Sequence, residues 1–275
     1  MQLRRLLTRA EVKYAMTIMS AIVVVAFAES CALFYGSDRA ELPSAAYGWV
    51  GNMDNMHIQI MHVFYIYLIF LIAASVFADS FFVDVKGRVS SVIATRCTLR
   101  SYLLSTALLA FLGGFFVVLL PLLLSQMLAL LIFPAIPGPD SFAGSINTPA
   151  YDDYSANMFA QNALFPSLYL NHPYLDNLFF IVYASLWAGI MSFMAFVVSL
   201  FTRKSRLVIL GTPTLVFLLS FYLLPSSYVL PYYLYPSTLS VALSQAFVLS
   251  APSVVLFVLL VLLTVALRRR KDLLL

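Results

Sequence analysis

Residues 79–103 read DSFFVDVKGRVSSVIATRCTLRSYL. This interval carries two acids and four bases in a chain that is 62% hydrophobic and only 10% charged. Apolar runs flank it on both sides, which is the pattern of a connection between two membrane-spanning helices. The hydrocarbon core of a bilayer is about 30 Å thick, so a spanning helix needs roughly 20 mostly apolar residues. Working outward in both directions gives six such stretches, at residues 14–34, 58–82, 102–133, 178–201, 207–224 and 248–267.

The runs are continuous and rich in Leu, Ala, Phe and Val, whereas barrel strands alternate over about ten residues. With a mean hydropathy of +0.94, the composition is that of an all-α membrane protein. Residues 1–275 are expected to form a single six-helix domain, because no water-soluble domain remains once the six spans are assigned. The first run follows a charged segment and lacks a small-residue cleavage site, so it reads as a retained helix. Cys31 and Cys97 fall on opposite sides of the membrane in this scheme.

Lys and Arg collect in cytoplasmic loops. Fifteen of the 16 basic residues lie in the amino-terminal segment, the second-to-third and fourth-to-fifth connections, and the tail; only Arg39 lies opposite. Both termini are therefore expected to be cytoplasmic. The net charge of +4 follows from the same distribution, and no basic groove with interleaved aromatics points to nucleic acid.

Residues 3–13, LRRLLTRAEVK, place Leu3, Leu6, Leu7 and Ala10 on one helical face, so residues 1–13 read as an interfacial helix on the cytoplasmic surface. The segment 35–57 reads as a polar external loop with no site. The third span is too long for a perpendicular helix, and Pro121 is the expected kink. An external loop follows at 134–177; it contains no Lys or Arg, and residues 154–170 have the pattern of a short surface helix. Residues 223–245, LLPSSYVLPYYLYPSTLSVALSQ, are uncharged, proline-broken and tyrosine-rich. They read either as an interfacial belt or as backbone dipping into the bilayer. Tyr228, Pro231, Tyr232, Tyr235 and Pro236 are the candidates for an outer gate within the external or re-entrant segment 225–247.

Motifs for self-contained chemistry are missing from the sequence. There is no phosphate-cradling Gly-rich loop with its lysine, no nucleophile elbow, and no His pair at a metal-binding helical spacing among His57, His62 and His172. The chain is therefore expected not to be an enzyme and to hold no cofactor or metal of its own. Glu29 lies roughly 22 Å into the first span at 1.5 Å per residue, making it a candidate intramembrane polar residue of a pathway. Asp79 lies near the inner end of the second span, within reach of Lys86 or Arg88.

Between Asp84 and Tyr102 an acid–Gly–Arg turn, Asp84, Gly87 and Arg88, leads into TRCTLRSYLLS at 95–105. Together with six spans, cytoplasmic termini and an interfacial amino-terminal helix, this resembles the ABC-2 type permeases, the membrane subunits of ATP-binding cassette exporters. In that family the connection after the second span runs from an acid and a glycine to an Arg, a further base and a Tyr. Asp84, Gly87, Arg96, Arg100 and Tyr102 stand in those places here. SLFTRKSRLVILGTPTLVFLL at 199–219 also resembles the fourth-to-fifth junction of small permeases from Gram-positive bacteria. One departure is that the external mass lies between spans three and four, whereas many members concentrate theirs after span five.

The resemblance implies a bacterial plasma-membrane permease with a cytoplasmic coupling helix within 84–100. It also implies a separate ABC ATPase that holds ATP and Mg, and a second permease subunit, identical or related. The expected activity is export of an amphipathic or lipid-like substrate such as a peptide, antibiotic or drug. Two alternatives stand beside it: an ion-gradient-driven secondary transporter, and a non-transporting membrane immunity or assembly factor.

Overall fold

The computed structural model describes residues 8–51, 59–87, 98–136, 164–202, 205–236 and 244–270. Within them every regular element is helical. Five helices are long and apolar enough to cross a membrane: α1 (Ala10–Leu33), α5 (Leu99–Ile132), α7 (Pro173–Phe201), α8 (Arg206–Leu223) and α9 (Gln245–Arg270).

The second apolar run does not make a sixth continuous span. It divides into α2 (Gln59–Val63), a π-helical turn (Phe64–Leu68), α3 (Ile69–Ser75) and α4 (Ser80–Lys86). In the π-turn the Ile69 amide donates to the Phe64 carbonyl, five residues back. Farther along, Val76 and Ser80 amides reach carbonyls only three residues back, which tightens the chain between α3 and α4. Ser75 adds to the disruption by donating its hydroxyl to the Ile72 carbonyl at 2.7 Å, a local bond that competes with the helix ladder. A broken helix survives in an apolar setting only where protein surrounds it. Phe64, Tyr65, Ile69, Phe70, Ala73, Ala74, Val76, Phe77 and Ala78 are accordingly all buried.

α5 and α7 form the axis of the bundle, and small residues bring their backbones together. A Cβ on Gly114 would meet the Ala188 carbonyl at 2.9 Å and the Ser192 Cβ at 2.6 Å; one on Gly189 would meet the Phe111 carbonyl at 3.0 Å. Close approach at small residues is the main packing device where lipid offers no hydrophobic gain. Nineteen residues of α7 are buried, whereas α1, α8 and α9 turn broad apolar faces outward.

Element ends differ from the expectations in several places. α1 starts at Ala10, so Ala10–Lys13 belong to the long helix; residues 1–7 of the proposed interfacial helix lie outside the described residues. α5 has 34 residues and continues through Pro121; at about 1.5 Å per residue it exceeds the 30 Å core by roughly 20 Å. The fourth span begins at Pro173, preceded by the short α6 (Pro166–Asn171). Residues 137–163, most of the expected outer loop, lie outside the described residues. Residues 226–233 form two short 3-10 turns, Ser226–Tyr228 and Leu230–Tyr233.

Candidate functional site

The two ends of the bundle are closed by different chemistry. At the end bearing Lys86, Arg100 and Arg206, Asp79 is fully buried and stands immediately before α4. An acid at this position ordinarily caps the helix with its side chain, but the Asp79 carboxylate makes no such bond. It meets two arginines instead. Arg9 Nη1 donates to Oδ1 at 3.3 Å, and Arg206 Nε lies 2.6 Å from Oδ2 as an ion pair whose angle falls short of a hydrogen bond. Glu11 extends the group, with one oxygen 3.3 Å from Arg206 Nη2 and the other 3.9 Å from Arg9 Nε. The Arg9 guanidinium also stacks over the Phe77 ring, 5.2 Å from its centroid.

A buried carboxylate is stable only when paired and hydrogen-bonded, and Arg is suited to the task because its planar fork serves two acids at once. This latch joins the starts of α1 and α8 to the break in the second segment. Lys86 and Arg88 were the expected partners of Asp79, but the helix carries Lys86 away from it to an exposed position. Arg9 and Arg206 take that role.

A second contact sits beside the first. The Tyr102 hydroxyl donates to Asp84 Oδ2, and both side chains are buried. Thr98 caps α5 by accepting from the Ser101 amide at 3.3 Å. The chain leaving α4 at Gly87 and the chain entering α5 at Thr98 are thus tied at their roots by the acid and the tyrosine of the expected coupling motif. Arg100 is exposed. Arg88 and Arg96 lie outside the described residues.

The opposite end is closed by uncharged groups. Residues 43–51, PSAAYGWVG, were expected to lie in a polar external loop, yet all but Tyr47 are buried. The loop enters the bundle because helices supply what its backbone needs. Asn177 Nδ2 donates to the Ala46 carbonyl and to Gln126 Oε1, both at 2.8 Å, and Gln126 Nε2 donates to the Ala45 carbonyl at 3.0 Å. The Ala45 amide donates to the Pro134 carbonyl at 2.8 Å, and Trp49 Nε1 donates to Ser125 Oγ at 2.6 Å. Ser125 lies about 10 Å below the end of α5 at 1.5 Å per residue, so the Trp49 indole reaches well into the bundle. Gly48 permits the close approach, since a Cβ there would stand 3.0 Å from the Phe133 ring.

Two acids flank this inserted loop. Asp176, beside Asn177, is buried with Oδ1 unpaired among the described residues; Glu29, beside Ser30, is partly buried with Oε2 unpaired among them. Ser30 itself donates to the Gly48 carbonyl at 3.4 Å. Glu29 was singled out from the sequence, and Asp176 was not, because it falls in what read as the end of a loop.

The proposed outer gate is brought together in part. Pro231, Tyr235 and Pro236 are buried, Tyr232 is half-buried and Tyr228 is exposed. Tyr228 meets Phe247 of α9 edge-on and Tyr233 meets it at a tilt, while Tyr232 approaches Phe221 of α8. The Tyr233 hydroxyl donates to the Ser227 carbonyl at 2.5 Å and accepts from the Ser244 amide at 2.9 Å, pinning the 3-10 segment to the start of α9. Residues 237–243 lie outside the described residues. No group of three or more His, Cys, Asp or Glu side chains that could hold a metal occurs among the described residues.

The fold and these contacts define an all-helical, multi-pass membrane protein. No family model, curated protein or solved structure matches the chain.

Proposed function

We propose that the chain is the permease subunit of an ATP-binding cassette exporter in a bacterial plasma membrane, paired with a second permease and driven by a separate ATPase. Its basic end is the cytoplasmic one, as the Lys and Arg distribution requires. The observation that carries the proposal is the hydrogen bond between Tyr102 and Asp84. It brackets the 87–98 connection, so a push on that connection reaches α4 and α5 together.

From α4 the displacement passes through Asp79 to Arg9 and Arg206, and hence to α1 and α8. ATP binding to the partner would in this way reset four helices, α1, α4, α5 and α8, from one docking element. The cargo is an amphipathic or lipid-like molecule, in keeping with apolar spans and a tyrosine-rich outer segment. Reversing Arg96 and Arg100 to Glu is expected to abolish ATPase association in pull-downs while membrane insertion persists. Retained association would refute the assignment.

A second reading, an ion-gradient-driven transporter, is favoured by one specific feature: the second segment is discontinuous and has a buried acid at its break. Discontinuous helices with ionisable groups are the usual site of ion coupling in such carriers. Uptake driven by a proton gradient in liposomes holding this chain alone would establish it.

A further inference from the structure

We propose that the π-turn of the second segment and the buried stretch 234–236 that follows the 3-10 turns form the binding site for an uncharged or amphipathic molecule that presents an acceptor oxygen, with the Tyr65 hydroxyl as its donor. The inference rests on the transport reading and specifies where cargo is held. Tyr65 is fully buried, and its hydroxyl has no hydrogen-bond partner among the described residues. A buried hydroxyl without a partner destabilises a fold, and Phe in its place would keep the ring packing while removing that burden. The residue also sits inside the π-turn at Phe64–Leu68, a local geometry that is uncommon and concentrates at functional positions. Two unfavourable features therefore coincide at one residue.

Its surroundings suit an amphipathic guest. The Tyr65 ring lies 5.5 Å from that of Tyr235, which is buried in the irregular segment after α8. Aromatic contacts continue from Phe70 to Phe217 at 4.5 Å, to Phe221 at 6.1 Å and to Tyr232 at 6.5 Å. They form a continuous chain of rings from the broken segment across α8 to the 3-10 turns. No Asp, Glu, Lys or Arg occurs in residues 59–78 or 207–236. An ionic group would thus find no counter-charge there, whereas a carbonyl, ether or ester oxygen would find a donor in an apolar setting where such a bond is strong. Because Tyr65 and Tyr235 are both covered in this structure, entry requires the stretch bearing Tyr235 to move away from the π-turn.

The test uses the purified full chain in detergent micelles, titrated with 6-propionyl-2-dimethylaminonaphthalene, an apolar fluorophore whose emission moves to the red when its carbonyl accepts a hydrogen bond. Saturable binding with red-shifted emission is expected. Tyr65→Phe should weaken binding about fivefold to tenfold, the loss of one hydrogen bond, and move the bound emission to the blue, while Tyr222→Phe at an exposed position changes neither. The thermal midpoint of Tyr65→Phe should equal or exceed that of the parent. If that variant unfolds, 3-fluorotyrosine at position 65, a stronger donor, must tighten binding. Partition equal to that into empty micelles, or unchanged affinity and emission in Tyr65→Phe or with 3-fluorotyrosine, would overturn the proposal. The titration involves neither an ATPase nor a gradient, so its failure is distinct from failure of the permease assignment.

Discussion

The basic end of the bundle is held by charge, and the far end by neutral hydrogen bonds to a buried stretch of backbone. Asp79 gathers Arg9 and Arg206 from two other helices, whereas Asn177 and Gln126 hold the carbonyls of Ala45 and Ala46. The difference teaches how each end can open. Arg206, at 44% exposure, regains hydration when its pair with Asp79 opens, so the basic end is suited to cycling under the push of the proposed partner. A buried loop has no such compensation, since each carbonyl that loses its donor remains in an apolar setting. The far end is accordingly the more rigid closure.

Four substitutions break or sharpen this contrast, each read as the loss of unfolding free energy in micelles. Trp49→Ala has the largest expected effect, about 3–5 kcal/mol, because it removes a fully buried indole and its bond to Ser125. Asp79→Ala follows at roughly 3 kcal/mol. It leaves Arg9, 12% exposed, without its buried acid, while Arg206 at 44% exposure recovers hydration. Asn177→Leu, which strips a donor from Ala46 and Gln126, is expected to cost about 1–3 kcal/mol.

Glu11→Gln should have the smallest effect, below about 1 kcal/mol, because its pair with Arg206 is part-exposed. That contribution should also vanish in the parent when salt rises from about 0.1 to 1 M, as the screening length falls from roughly 10 to 3 Å. The far-end losses should not change with salt. Equal salt sensitivity at both ends would remove the distinction between them.

The spans were legible because a bilayer demands long apolar runs, and α1, α5, α7, α8 and α9 satisfy that demand in their own sequence. The interruption of the second run was not legible. Its residues are as apolar as those of a straight span, and the π-turn and the tight turn at 76–79 arise from packing and from Asp79 choosing arginines over its own helix. Those arginines lie 70 and 127 residues away in the chain, and their positions are explained equally well by topology. PSAAYGWVG did carry a signal: it has no charge, and small and apolar residues predominate, unlike the flanking GSDRAEL. The loop's turn residues outweighed that signal. Asp84 and Tyr102 were marked as ATPase-coupling residues from the resemblance; that they bond to each other was not legible in their spacing.

The coupling account is tested most directly by one distance. With Cys31 and Cys97 replaced by Ser, spin labels at Lys13→Cys on α1 and Leu207→Cys on α8 report the separation of the two helices that the latch joins. On adding ATP to membranes containing the ATPase partner, that distance should change by about 5 Å, on the scale of a one-turn helix shift, and should return after hydrolysis. A distance that stays fixed through the ATP cycle would contradict the claim that the basic end is the element driven by the partner.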